Sequence, residues 1–90
     1  MLLLPSIYMP IFKTIVNIIS EQNPDISVSS LNEGTVIWGN MFESDIQLRN
    51  LLFRLEEYFV IHFSENELKC NEFLCLKDLV DLVKKHLSLG

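Results

Sequence analysis

Apolar residues recur along this chain at helical spacing in three blocks. In the first, Ile11/Phe12, Ile15/Val16 and Ile18/Ile19 return every three to four residues, with Lys13, Thr14, Asn17 and Glu21 between them. That period predicts an amphipathic helix from Pro10 to about Gln22, with proline in the first turn, where its missing N–H costs nothing. Asn23-Pro24-Asp25 ends it. In the second block Leu48, Leu51, Leu52, Leu55 and Phe59 form one stripe, and Ser44-Asp45-Ile46-Gln47 ahead of it has capping-box spacing, Ser at the N-cap and Gln at N3. The third predicts a helix from about Leu76 to Leu87. Its face is Leu76, Leu79, Val80, Val83 and Leu87, and Lys84, Lys85 and His86 fill the last turn, where cations complement the dipole.

Two segments interrupt the blocks. Ser64-Glu65-Asn66-Glu67 is a second capping box and opens one short turn. From Ile26 to Glu43 runs a long connection rich in Ser, Asn and Gly, punctuated by Val28, Leu31, Val36, Ile37, Trp38, Met41 and Phe42. Loops of this length are uncommon in a compact domain unless functional or packed by their own side chains, and these apolar residues are numerous enough to pin it down. Val36-Ile37-Trp38 has the composition of a short strand, but no partner strand is apparent. The expected order is long helix, long loop, long helix, short helix, helix, in a single domain over residues 10–90 with residues 1–9 as a short N-terminal arm.

Composition narrows the class. With 49% hydrophobic and 21% charged residues, and only 3 Gly and 3 Pro among 90, the chain is neither disordered nor collagen-like nor of low complexity. The formal charge of −5 argues against nucleic acid as a partner, which asks for a basic stripe. From Glu21 to Glu67 nine acids face only Arg49 and Arg54, an asymmetry that suits steering toward a cationic partner. No apolar run reaches the roughly 18 residues of a membrane span. Met1-Leu2-Leu3-Leu4 is stopped by Pro5 and has no basic lead, so no signal peptide is expected. Cys70 and Cys75 are too few for a disulfide scaffold and lack the CxxC pairing of zinc sites, so free thiols in a cytoplasmic protein are expected. His62 and His86 have no partner at catalytic spacing, and no paired carboxylates or Gly-rich phosphate loop are present.

At Leu51-Leu52-Phe53-Arg54-Leu55-Glu56-Glu57-Tyr58-Phe59 the chain resembles the acyl carrier proteins, whose second helix carries an apolar run into a Leu-Glu-Glu-x-Phe ending. Phe73-Leu74-Cys75-Leu76-Lys77-Asp78-Leu79-Val80-Asp81-Leu82-Val83 is similar to the family's closing segment, and Ile15–Gln22 to its first helix. The resemblance covers about residues 10–87 and agrees with the helix order above. It implies an all-α, four-helix acyl-carrier-protein-like bundle of three longer helices and one short one, and a protein that is not an enzyme. It also implies a 4′-phosphopantetheine arm on a Ser at the start of the second helix, where free N–H groups and a positive dipole end meet the phosphodiester. The arm would carry an acyl thioester for fatty-acid or polyketide-type biosynthesis, sheltered among Leu48, Leu52, Phe53 and the loop aromatics. The partners implied are basic surfaces of acyl-handling enzymes or a phosphopantetheinyl transferase, met by a monomer.

The sequence departs from the family at its motif, Asp-Ser-Leu, where it has Glu43-Ser44-Asp45-Ile46. Counting back from Phe59, the modified Ser falls on Asp45; counting forward from Glu21-Gln22, it falls on Ser44. The first register puts Ile46, Leu51, Leu52, Leu55 and Phe59 on core positions. The second turns Arg54 inward and Leu55 out, which burial energetics oppose. The family's Gly three residues before the Ser is replaced by Phe42. Ser44 therefore has two readings: an N-cap for Gln47, with Asp45 as the favoured first-turn acid, or the phosphopantetheine site. On the first, the protein is an unmodified carrier-fold module that docks on an acyl-handling enzyme or another protein. Docking candidates are Asp45, Arg49, Phe53, Glu56 and Glu57, the last two at acidic family positions and Phe53 at an apolar one that otherwise packs under the long loop. Trp38 and Phe42 read as loop anchors that fill space an acyl chain would occupy. A small helical adaptor with chance likeness to the carriers is the third alternative.

Overall fold

The computed structural model describes residues 11–39, 41–69 and 72–87. Each apolar block becomes a helix: α1 is Ile11–Gln22, α2 is Asp45–Phe59 and α3 is Leu76–His86. The boundaries follow the sequence closely at α2 and α3; Pro10, expected in the first turn of α1, and the arm before it lie outside the described residues. The expected fourth, short helix is a single 3-10 turn, Asn66–Leu68, and a second such turn, Val28–Ser30, sits in the long loop. The described chain is thus a three-helix globule with no strand. Its radius of gyration, 12.8 Å, is close to the roughly 12 Å of a compact chain of this length.

The core is the apolar stripe of each helix. Ile15 and Ile19 of α1, Leu48, Leu51, Leu52 and Leu55 of α2, and Leu76, Leu79 and Val83 of α3 are fully buried, and α1 packs against both other helices. Arg54 points outward and pairs with Glu21 at 2.6 Å, while Leu55 is sealed, so the helix phase is the one that burial energetics favour. Ile46 departs from expectation. It precedes Leu48 by two residues, about 200° around the helix, and is exposed rather than part of the core.

The long loop is held down from two sides. Ile37, Met41 and Phe42 are buried, and Ile26, Leu31 and Trp38 pack partly against the core. Val28 and Val36, expected as further pins, are exposed. The segment around Val36 does have a partner: the residues leading into α3. Val36 bridges Cys75 antiparallel, the Ile37 N–H donates to the Leu74 carbonyl at 2.9 Å, and the indole N–H of Trp38 donates to the Phe73 carbonyl at 2.9 Å. The contact continues into α3 itself, where the Leu76 and Lys77 N–H groups donate to the carbonyls of Thr35 (3.1 Å) and Glu33 (2.8 Å). Donors that an α-helix leaves unpaired in its first turn are here met by the loop.

At the other end of α2 the chain turns through Val60, whose φ of 55° lies in the left-handed region. Its N–H and that of Ile61 both reach the Glu56 carbonyl, so the turn closes the helix. A β-branched side chain disfavours that conformation, and Val60 buries almost none of its surface in return. Val60→Gly is expected to raise stability by about 0.5–1 kcal/mol in a denaturant titration, left-handed strain outweighing the added chain entropy of glycine. By contrast, Leu52→Ala is expected to cost about 2–5 kcal/mol in the same assay.

Candidate functional site

The start of α2 is where the sequence places chemistry, and three local features build it. Phe42, buried, anchors the incoming chain: its N–H donates to the Ile37 carbonyl (3.3 Å), and its own carbonyl accepts from Gly39 (3.0 Å), whose φ of 83° makes the tight return. Glu43, Ser44 and Asp45 then emerge into solvent. Ser44 is the N-cap, extended at φ −142° and ψ 157°, and forms a capping box with Gln47. Gln47 Oε1 accepts both the Ser44 N–H (3.2 Å) and the Glu43 N–H (2.7 Å). Asp45 is the first helical residue, an acid at the positive end of the dipole.

Down the exposed side of α2 the docking candidates separate. Asp45, Arg49, Phe53 and Glu57 follow one another at four-residue spacing, all exposed, and make one continuous face. Phe53 does not pack under the loop. Glu56 leaves this group: its carboxylate accepts the Phe63 N–H at 2.7 Å and lies 3.4 Å from His62 Nδ1, so it is built into the corner after α2. Tied down in this way, it is a poor docking acid.

Of the residues expected to shelter an acyl chain, Phe53 is on the surface. Leu48 and Leu52 are fully buried, and Phe42 and Met41 occupy the interior beside the loop. A surface cavity of about 250 Å³ lies between the end of α1 and the start of α2, and one of about 490 Å³ lies beside Met41 in the long loop. Gln22, Asn23, Gln47 and Asn50 line the first with Phe42, and Gln22 Oε1 is buried with no hydrogen-bond partner among the described residues. Four carboxamides together with Phe42 give it a lining of mixed hydrogen-bonding and apolar surface.

Two devices escape the sequence reading. Cys75, a free, half-buried thiol, is the N-cap of α3; Asp78 Oδ2 accepts the N–H groups of Leu74 (2.8 Å) and Cys75 (3.1 Å). The Cys-x-x-Asp spacing is the signal, hidden because cysteine is not a usual cap. Cys70 lies outside the described residues. Glu67, besides accepting the Ser64 N–H at 2.8 Å, meets His86 Nε2 (2.8 Å) and Lys85 Nζ (3.1 Å) from α3. The Ser64 N–H, aided by His86 and Lys85 and opposed by burial, lowers the Glu67 pKa from 4.5 to about 2. Among the described residues no group of three metal-ligating side chains exists and no helix is long and apolar enough to cross a membrane.

Protein-family models, curated proteins and solved structures were all compared with this chain, and none matches.

Because the folded-state pKa of Glu67 lies below its unfolded value, the stabilisation it brings is complete above about pH 4.5 and is lost as pH falls toward about 2. Urea unfolding across that window should show Glu67→Gln less stable than the native chain at neutral pH and losing less on acidification.

Proposed function

We propose that this protein is an acyl-carrier-like module that offers the start and exposed face of α2 to acyl-handling enzymes, with Ser44 as the attachment point for 4′-phosphopantetheine. The observation that carries this reading is the placement of Ser44: a solvent-exposed hydroxyl at the N-terminal end of a 15-residue helix, with an acid immediately before it. A phosphodiester there lies on the positive end of the α2 dipole. The residues present fit the group. The hydroxyl is reachable, and its backbone is held in one conformation by Gln47. The adjoining carboxamide cavity reaches the same turn of α2 through Gln47. When bound, the group would supply a thiol for an acyl thioester. The chain's own part is to hold the attachment point rigid and to present Asp45, Arg49, Phe53 and Glu57 beside it to a basic partner surface.

A second reading has its own support. Asp45 stands where the register counted back from Phe59 puts the modified Ser, and Phe42 fills interior space beside the start of α2. On that reading the same face docks on a protein partner with no covalent arm.

Coexpression with a promiscuous phosphopantetheinyl transferase and intact-mass measurement separates the two. The carrier reading expects a gain of one phosphopantetheine group, abolished by Ser44→Ala. An unchanged mass for the native chain overturns it in favour of the docking module. If the native chain fails but Asp45→Ser gains the group, the register counted back from Phe59 is the right one and position 45 is where the fold presents the attachment point.

A further inference from the structure

The cavity between the end of α1 and the start of α2 has an uncharged lining and an unmet acceptor. Gln22, the last residue of α1, is half-buried against it, and Gln22 Oε1 is closed off with no hydrogen-bond partner among the described residues. An acceptor left in that state bears its whole desolvation cost. The terminal torsion of a glutamine is soft, so a donor entering the cavity draws the carboxamide round to meet it. On the α2 wall Gln47 is in the opposite condition. Its Oε1 already accepts the N–H groups of Glu43 (2.7 Å) and Ser44 (3.2 Å), so what it has left to offer is its amide hydrogens. The α1 wall therefore lacks a donor and the α2 wall lacks an acceptor, with Asn23, Asn50 and the buried Phe42 completing the lining.

We propose that this cavity binds a trans secondary amide lying between the two helices. Such a group carries its N–H and its C=O on opposite sides. One amide thus gives its hydrogen to Gln22 Oε1 and takes one from Gln47 Nε2. A charged ligand would find no counter-charge in the lining. An ester has the same outline without the donor, and leaves Gln22 unmet. At about 250 Å³ the cavity is just below the roughly 300 Å³ where small-molecule sites begin, room for one amide and its neighbouring atoms. Asn23 also lines the cavity of about 490 Å³ beside Met41, so a longer chain of amides has somewhere to continue. Two sources present this chemistry: the main chain of an extended peptide, and a pantetheine arm, which holds two secondary amides. The inference does not rest on the carrier reading, because the amide is recognised whether or not Ser44 bears it.

Titration of the isotopically labelled full chain, followed by NMR of its backbone and side-chain amide signals, tests it with free probes. These are N-acetylglycine N′-methylamide, pantetheine, glycerol, and methyl acetoxyacetate, which is the first probe with esters in place of amides. Saturable shifts of the Gln22, Asn23, Gln47 and Asn50 side-chain signals are expected with an amide probe, at about millimolar Kd for ligands this small. Binding should be about fivefold weaker or worse for the diester, for glycerol, and for Gln22→Met, whose fold circular dichroism checks. Binding of the capped glycine, with or without pantetheine, makes a peptide main chain a source; binding of pantetheine alone leaves the arm. No saturable shift with either amide, a diester or glycerol that binds equally well, or a folded Gln22→Met that binds as the native chain does would each overturn the proposal. Should Gln22→Met not fold, the diester comparison on the native chain decides.

Discussion

The arrangement of this molecule depends on how the loop between α1 and α2 is bound to the start of α3. Backbone groups of Glu33, Thr35 and Ile37, together with the Trp38 indole, exchange four hydrogen bonds with residues 73–77. Each satisfies a polar group that would otherwise be stranded at a helix end or beneath a loop. The seam fixes one end of the loop on α3; Ile37, Met41 and Phe42, buried in the core, fix the other. Asp45 and the rest of α2 follow from that anchored position. The exposed tip of α2 therefore owes its placement to a contact made on a different helix.

One device recurs at the element starts. Gln47, Glu67 and Asp78 each stand three residues after a cap and take back the N–H of that cap, at Ser44, Ser64 and Cys75. The capping residues differ, but the returning acceptor is constant, and each fixes where the chain enters a helical turn. At Glu67 the same carboxylate also meets Lys85 and His86 on α3, so a local cap becomes a long-range tie. Glu56 does the equivalent at the other end of α2, reaching the Phe63 N–H across the turn at Val60.

The helices are legible in the sequence because their signals are local: a 3.6-residue apolar period in all three, with a capping box read ahead of α2. Ile46 is misread for a reason that is equally local. Its apolar character suggests burial, while its angular position, two residues ahead of Leu48, rules it out. The loop seam is not legible, because hydrogen bonds between backbone groups about 40 residues apart leave no mark in side-chain pattern; Val36-Ile37-Trp38 looks like a strand without a partner until Phe73–Leu76 is beside it. The candidate site divides the same way. Ser44, Asp45, Arg49, Phe53 and Glu57 are placed by helical spacing alone, whereas the capture of Glu56 by Phe63 depends on a turn that only the left-handed Val60 creates.

Native-state hydrogen exchange tests the seam most directly. If the loop and α3 are one cooperative unit, the amides of Ile37, Leu76 and Lys77 will be as protected as those of Leu51 and Leu55 in the middle of α2. Exchange of those three amides at rates close to an unstructured chain, with α2 still protected, would contradict the account: the loop would then not be what sets the start of α2.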